Sequence, residues 1–235
     1  MADLIVTIDG PAASGKSTAA RLLARKLNAS FLDTGAMYRA VTLAVMQAGV
    51  DLNDEQKLLG VIQKHEFQFS DQSGDMKVRI DGSEVTEQIR SPEVTANAWY
   101  IAAAPGVREK LVQMQRQFAA GRKKIVTEGR DQGTVAFGDA DIKFYLTADL
   151  TERARRRQAE LQAKGDAGSL EQILKTIEQR DKSDESRAVG PLKPAEDAII
   201  VDTTNMSIEQ VVSMLVARCS SKIQNPESSI ENPKS

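Results

Sequence analysis

One short stretch near the start of the chain constrains its fold more than any other. Residues 10–17 read Gly-Pro-Ala-Ala-Ser-Gly-Lys-Ser, in which a glycine is followed five positions later by Gly-Lys-Ser. The apolar run at residues 4–8 predicts a buried strand before this stretch, and the apolar face of residues 18–27 predicts a helix after it. A strand, a glycine loop and a helix in this order form a P-loop, whose backbone N–H groups cradle phosphates. The sequence therefore predicts an α/β fold with a site for a nucleoside triphosphate.

Individual residues of this loop have predicted roles that follow from their chemistry. Gly10 and Gly15 allow the backbone to approach the phosphates because they carry no Cβ atom. Lys16 is long enough to reach the outer phosphates, and the hydroxyl of Ser17 is a ligand for Mg²⁺. A glycine-rich turn that only opens a helix is the alternative interpretation, and the flanking strand and helix argue against it.

The composition is that of an ordinary globular protein and disfavours several other classes. Charged residues make up 27% of the 235 residues, and the net charge of −2 provides no basic field for nucleic acid. No apolar run approaches the roughly 18 residues that suggest a membrane span. Cys219 is the only cysteine and His65 the only histidine, which excludes an intrachain disulfide and argues against histidine acid–base chemistry. We expect a cytoplasmic monomer without nucleic-acid or membrane partners.

Strand-like and helical patterns alternate along most of the chain. Apolar runs rich in branched residues predict five strands, at residues 4–8, 31–32, 125–126, 142–146 and 198–201. Helical patterns separate these strands at residues 17–27, 37–48, 107–120 and 151–164. This alternation predicts a doubly wound, parallel five-stranded sheet with helices on both faces.

One segment departs from that alternation. Residues 67–69, 76–80 and 84–85 read as short strands separated by polar turns, and Asp81-Gly82 is a strong hairpin signal. We therefore predict a small antiparallel β insert within about residues 63–95.

The last third of the chain contains a predicted lid and a predicted tail. Two charged helical stretches, 151–164 and 170–188, are joined by a short glycine-containing segment, and we expect them to form a helical lid at about residues 151–188. Residues 220–235 are polar and expected to be disordered, which leaves residues 1–219 as a single domain.

Arginines at helical spacing form the second group of candidate functional residues. Each lid helix has three charged residues on one face: Arg153, Arg156 and Arg157 on the first, and Arg180, Asp184 and Arg187 on the second. Guanidinium groups folded over bound phosphates would balance the charge that develops during phosphoryl transfer. A lid that excludes water also favours transfer over hydrolysis. For either helix alone, a solvated face held by ion pairs is the alternative.

Two further polar motifs follow predicted strands, where open parallel sheets bind ligands. Asp33-Thr34-Gly35 precedes a helix that carries Arg39, and Arg130 and Asp131 follow the strand near residue 126. Arg39 and Arg130 could clamp a second phosphate, and Asp131 could accept a hydrogen bond from the exocyclic amine of a base. The alternatives are N-capping by Asp33 and a loop turn at Asp131.

These motifs together resemble the bacterial cytidylate (CMP) kinases. The resemblance rests on residues 8–18, 32–39, 129–135 and 180–187 in that order, and it covers residues 4–218 with the antiparallel insert. It implies an adenylate-kinase-like fold, with the insert in the monophosphate-binding region, and phosphoryl transfer from ATP to CMP or dCMP with Mg²⁺. A kinase for another small acceptor, such as UMP or shikimate, and a non-catalytic nucleotide-binding protein are the alternatives.

The resemblance also implies which residues contact each ligand. Those that would hold the ATP phosphates are Gly10, Pro11, Ala12, Ala13, Ser14, Gly15, Lys16, Ser17 and Thr18. Those implied around CMP are Thr34, Arg39, Arg130 and Arg187 at the phosphate, Arg180 and Asp184 at the ribose, and Arg108 and Asp131 at the cytosine. The implied catalytic residues are Lys16, Arg130, Arg153, Arg157 and Arg187, with Arg156 also in the lid.

One stretch departs from the family pattern. Members often place a small serine near the base within the stretch that here reads Asn-Ala-Trp-Tyr-Ile, residues 97–101. Tyr100 keeps a hydroxyl and is expected in the substrate site. The alternative is that Trp99 and Tyr100 pack in the core.

Overall fold

The computed structural model describes residues 2–72, 74–163, 165 and 168–224. Its strands in chain order are β1 (Leu4–Asp9), β2 (Ser30–Asp33), β3 (Phe67–Gln72), β4 (Asp75–Ile80), β5 (Ser83–Glu84), β6 (Lys124–Gly129), β7 (Ile142–Thr147) and β8 (Ile199–Asp202). Its α-helices are α1 (Lys16–Leu27), α2 (Thr34–Gln47), α3 (Glu55–Lys64), α4 (Pro92–Ala103), α5 (Pro105–Ala119), α6 (Leu150–Gln162), α7 (Leu170–Glu185) and α8 (Ile208–Gln224). Within the described residues, no helix is long and apolar enough to cross a membrane.

A parallel five-stranded sheet forms the centre of the protein, in the order β2-β6-β1-β7-β8. The predicted doubly wound sheet is therefore confirmed, and all five predicted strands lie in it. The connection after β1 runs to one edge of the sheet, whereas β7 and β8 lie on the other side of β1. Such a reversal opens a crevice at the carboxyl ends of the strands, where ligands bind in folds of this kind.

The two faces of the sheet are covered by separate apolar clusters. In β1, Ile5 belongs to the cluster that includes Met37 of α2, and Val6 belongs to the cluster that includes Leu23 of α1 and Leu215 of α8. Successive residues of a strand point to opposite faces, which explains this division. Each fully buried side chain of this size contributes roughly 1.5–3 kcal/mol to folding.

The predicted insert is an antiparallel three-stranded sheet in the order β3-β4-β5. Met76, Val78 and Ile80 of β4 alternate inward and are buried in the same cluster as α2, so the insert shares the core of the main domain. Asp81 and Gly82 both have positive φ, 49° and 79°, as a two-residue hairpin turn requires.

The predicted lid consists of α6 and α7, which pack on the P-loop. Ile173 and Ile177 of α7 form a small buried cluster with Ala154 of α6 and Ala12 of the loop. The helix α7 ends at Glu185, so Arg187 lies beyond it rather than on its face as predicted. Residue 164, the predicted end of the first lid helix, lies outside the described residues.

The C-terminal helix α8 continues to Gln224, so the boundary expected at residue 220 falls inside this helix. Cys219 is fully buried there among the apolar residues of α1 and the sheet. Residues 225–235 of the expected tail lie outside the described residues.

Candidate active site

The P-loop connects β1 to α1 and depends on its two glycines. Gly10 has φ 152°, and a Cβ atom there would lie 2.1 Å from the carbonyl oxygen of Leu146 in β7. Gly15, with φ 85°, takes a left-handed conformation directly before the first residue of α1. The first N–H groups of a helix have no partner within the helix and favour an anion. Gly10 is thus required by a close contact and Gly15 by its backbone conformation, while their approach to phosphates stays a prediction.

Lys16 is folded over this loop and has a strongly shifted pKa. Its Nζ donates to the carbonyl oxygen of Pro11 at 2.9 Å, and the side chain is buried. Burial, reinforced by the charge of Arg130, lowers the pKa of Lys16 to about 7. A bound phosphate would favour the charged ammonium, so the residue is prepared for an anionic ligand.

Ser17 contacts a carboxylate that the sequence analysis did not select. Its Oγ donates to Oε1 of Glu128, at the end of β6, at 2.9 Å. Glu128 lies beside Asp33 of β2 in the sheet register, and burial, followed by the charge of Asp33, raises its pKa. An acidic residue directly before Gly129-Arg130-Asp131, at the carboxyl end of a strand, was the available signal.

The oxygens of Ser17 and Glu128 fit Mg²⁺ by their chemistry. This hard cation prefers oxygen ligands and keeps several waters, with one or two protein ligands and substrate phosphates completing its shell. Among the described residues, no three His, Cys, Asp or Glu side chains are grouped to hold a metal. A metal bound here would therefore depend on nucleotide oxygens as well.

The first residues of α2 and the end of β2 form one side of the crevice. Asp33 accepts from the N–H of Ala36 at 2.9 Å, so the capping interpretation is confirmed, and its other oxygen pairs with Arg39 at 3.3 Å. The hydroxyl of Thr34 donates to the carbonyl oxygen of Glu128 at 2.7 Å. The structure thus brings Thr34 and Arg39 close to the end of β6.

Arg130 and Arg187 converge on one carboxylate of the lid. Arg130 Nε donates to Asp184 Oδ2 at 2.7 Å, and Arg187 Nη2 lies 3.5 Å from Asp184 Oδ1. Burial would raise the pKa of Asp184, but the two arginines hold it below its usual value. The same Arg187 nitrogen is buried and has no hydrogen-bond partner among the described residues. Three predicted acceptor-site residues therefore lie together.

Arg108 and Asp131 form a buried ion pair. Their exposed fractions are 3% and 5%, and the Arg108 guanidinium also donates to the carbonyl oxygen of Ala102 at 3.2 Å. It lies 5.7 Å from the ring centre of Tyr38, a cation–π distance. Burial raises the pKa of Asp131, although Arg108 opposes this. The two predicted base-contacting residues are therefore adjacent.

The three α6 arginines that the sequence pattern placed on one face each have a carboxylate partner. The pairs are Arg153 with Asp181, Arg156 with Glu152 and Arg157 with Glu160. The ion pairs of the alternative interpretation are therefore present on this helix face.

Arg153 connects the lid to the P-loop. Its Nη1 donates to the carbonyl oxygen of Ala12 at 3.0 Å, and Asp181 in turn accepts from the N–H of Ala12 at 3.1 Å. Arg157 instead faces outward on α6, with 42% of its side chain exposed. The phosphate-binding roles of both arginines stay predictions.

Arg180 and Tyr100 lie apart from these pairs. Arg180 takes part in none of the ion pairs among the described residues, and desolvation, followed by the charge of Arg130, lowers its pKa to about 10. Tyr100 stacks on Trp99 in α4 with ring centres 3.7 Å apart. Trp99 is 53% exposed, so the interpretation that it packs in the core is wrong.

Comparison with known proteins decides the family. A family model described as cytidylate kinase matches residues 6–221. The chain belongs to the cytidylate kinase family. Proteins named cytidylate kinase from Limosilactobacillus reuteri and Pelotomaculum thermopropionicum are 50% and 48% identical to it, covering 89% and 92% of this chain and 92% and 95% of theirs.

A solved structure supports the fold alone. An uncharacterized protein from Eubacterium ventriosum superimposes with a TM-score of 0.51 at 12% identity, covering 93% of this chain and 99% of that one. Membership of the cytidylate kinase family confirms the resemblance that the four motifs indicated.

In this cytidylate kinase family member, sequence reasoning also missed Asp181. It accepts from Ala12 and pairs with Arg153, so it links α7, α6 and the P-loop. Asp181 is one of many charged residues in this helix, so the sequence pattern did not distinguish it. Its contact with Ala12 forms only when the lid packs on the P-loop.

Proposed function

We propose that this protein transfers the γ-phosphoryl group of ATP to CMP and dCMP with Mg²⁺, and releases ADP with CDP or dCDP. The observation that carries the proposal is that the P-loop and an arginine cluster follow neighbouring strands. The P-loop with Lys16 follows β1, and Arg130 follows the adjacent strand β6. A donor and an acceptor phosphate bound at these places would meet at one edge of the sheet.

The cations at this edge suit phosphoryl transfer. Charge develops on the equatorial oxygens of the transferred group, and preorganised cations in a dry site stabilise it. Lys16 would bind the donor phosphates, and Arg39, Arg130 and Arg187 would bind the acceptor phosphate. The charges of Arg130 and Arg180 both act on the pKa of Lys16, which supports this closeness.

Ser17 and Glu128 would hold Mg²⁺ together with the nucleotide. When bound, this ion neutralises charge on the donor phosphates. The backbone N–H groups of the P-loop would orient the same phosphates from the other side.

The acceptor needs no general base. A phosphomonoester has a second pKa near 6, so the attacking oxygen of CMP is already largely anionic at neutral pH. The single histidine is consistent with this, because His65 pairs with Asp81 in the hairpin turn of the insert at 2.6 Å.

Asp131 and Arg108 would select the base. An ionised Asp131 would accept from the exocyclic amine of cytosine and repel the carbonyl group that uracil has at this position. A ligand that leaves buried polar groups unpaired is rejected by roughly 10⁴–10⁵-fold in favourable cases. The family does not favour UMP, shikimate or a non-catalytic role.

The lid would exclude water during transfer. Arg153 already contacts the P-loop at Ala12, and closure would bring the outward-facing Arg157 toward the phosphates, where both are proposed to be catalytic. We further propose that the protein acts as a monomer in the cytoplasm, without nucleic-acid or membrane partners. The net charge of −2 supports the absence of nucleic acid.

An assay of ADP release, coupled to NADH oxidation, tests the proposal. It is run with ATP, Mg²⁺ and, in turn, CMP, dCMP, UMP, AMP, GMP and shikimate. We expect turnover with CMP and dCMP well above the others. Turnover with another acceptor alone would support the alternative kinase, and no turnover with any of them would support a non-catalytic role.

A further inference from the structure

Asp9, the last residue of β1, makes contacts that phosphate binding by a P-loop does not require. Its Oδ1 accepts from the N–H of Gln132 at 2.9 Å, and its Oδ2 accepts from the N–H of Gly133 at 2.8 Å. These two amides directly follow Arg130 and Asp131. Both oxygens of one buried carboxylate are therefore used to hold the loop that carries the proposed acceptor contacts.

The loop held by Asp9 begins a single wide helical turn, Gln132–Ala136. The first N–H groups of such a turn have no partner within it, and Asp9 supplies one for two of them. The loop lies directly on β1, since a Cβ atom on Gly133 would be 3.0 Å from the Thr7 hydroxyl oxygen. The other end is held by Arg116, whose Nε donates to Ala136 at 2.8 Å.

The next residue after Asp9 is Gly10, where the P-loop begins. One side chain thus joins the donor loop to the acceptor loop across more than a hundred positions of sequence. Misplacing reacting groups by about 1 Å can cost roughly 100-fold in rate. We propose that Asp9 is a positioning residue that sets the spacing between the P-loop and the Arg130–Asp131 segment. The proposal rests on the proposed function of the site.

Burying the Asp9 carboxylate at the end of β1 costs free energy, which supports a specific role for this residue. Burial raises the pKa of Asp9 to about 7, against the lowering effect of the two amides. The charged groups that act on it are Asp131, which raises the pKa further, and Arg130, which lowers it. An uncharged apolar residue would avoid that cost but would leave two buried amides without acceptors.

The test is Asp9→Asn, which keeps the size but turns an NH₂ group toward one of the two N–H donors. Kinetics with CMP and ATP varied separately, and binding of CMP and of ATP by calorimetry, are compared with the wild type. We expect the KM and Kd for CMP to rise at least 10-fold and the ratio of kcat/KM for CMP to that for UMP to fall. The KM and Kd for ATP should change less than about 3-fold, because the P-loop amides are untouched.

A matched control is Asp141→Asn. Asp141 also accepts from a backbone N–H of β1, that of Ile5 at 2.7 Å, but at the opposite end of the sheet. We expect this variant to leave the KM and Kd for both CMP and ATP unchanged. Equal effects of Asp9→Asn on CMP and ATP, or no effect on CMP, would overturn the proposal.

A milder variant covers the case in which Asp9→Asn does not fold. Thr127 donates from Oγ1 to Oε1 of Gln132 at 2.9 Å and holds the same turn, so Thr127→Val loosens it without removing the carboxylate. We expect a smaller rise in the KM for CMP alone, and an unchanged value would contradict the proposal. Wild-type turnover of CMP is measured first. If the wild type does not turn over CMP, the proposed function fails, and calorimetry of CMP and ATP binding still tests whether Asp9 sets the spacing of the two loops.

Discussion

Arg130, at the end of β6, donates from Nε to Oδ2 of Asp184 in α7 at 2.7 Å. This ion pair joins the central sheet to the lid. The charge of the same guanidinium lowers the pKa of both Lys16 and Asp184. A bound acceptor phosphate would compete with Asp184 for this guanidinium.

The first prediction concerns Asp184→Asn. We expect the variant to lose about 1–3 kcal/mol of unfolding free energy, because a charged donor loses its partner in a largely buried site. Denaturant unfolding at pH 7 measures this loss. Lys182→Ala, in an exposed pair with Glu178 on the same helix, is the control and should change little. Equal stability of Asp184→Asn and the wild type would contradict the assignment.

The same pair predicts a pH dependence of stability. Because the arginines hold the pKa of Asp184 below its ordinary 3.8, the ionised group stabilises the fold above that value. The stabilisation is lost as the pH falls through the lower pKa of the folded state. Unfolding free energies of wild type and Asp184→Asn should therefore converge below about pH 4. A constant difference down to pH 2 would argue against this linkage.

The lowered pKa of Lys16 predicts that the protein takes up a proton when ATP binds. Its pKa of about 7 leaves it mostly neutral at pH 8, and the triphosphate favours the ammonium form, so binding should take up as much as one proton. Uptake should decline as the pH falls below 7, where Lys16 is already charged. Calorimetry in buffers of different ionisation enthalpy measures the protons. Lys16→Arg, always charged, should abolish the uptake, and persistent uptake in that variant would assign it to another group.

Asp131→Asn should reduce the preference for CMP over UMP. We expect CMP turnover to fall by roughly 100-fold or more and the CMP/UMP ratio to shrink, because the amide can face a carbonyl as well as an amine. Steady-state kinetics with both acceptors measure the ratio. Asp139→Asn, an exposed acid in the following loop, is the control. An unchanged CMP/UMP ratio in Asp131→Asn would remove this residue from the base site.

Much of the fold could be predicted from local patterns. The strand, glycine loop and helix around Lys16 lie within one short stretch, and the alternation of Met76, Val78 and Ile80 indicated the insert. In both cases, neighbours in sequence carry the signal. The packing of the lid could not be predicted this way, because Asp181 meets Ala12 across 169 positions.

The candidate site was predictable in part for the same reason. Arg130 and Asp131 follow a strand end, and the topology of a parallel sheet brings such ends together. Glu128 was missed although it lies at a strand end, because its partner Ser17 is 111 positions away and only the fold brings the two together. Arg153 and Asp9 also contact backbone atoms of distant loops, and such partners leave no residue-type signal in the sequence.

The most direct test of the account is ADP release from ATP with CMP as acceptor, measured for the wild type and for Lys16→Ala. We expect turnover by the wild type with CMP and dCMP, and a loss of at least 100-fold in Lys16→Ala with its circular dichroism unchanged, because the lysine is proposed to bind the donor phosphates. Lys26→Ala, exposed on the same helix α1, should retain wild-type activity. Absence of CMP-dependent ADP release by the wild type, or a tenth of its kcat retained by Lys16→Ala, would contradict the account.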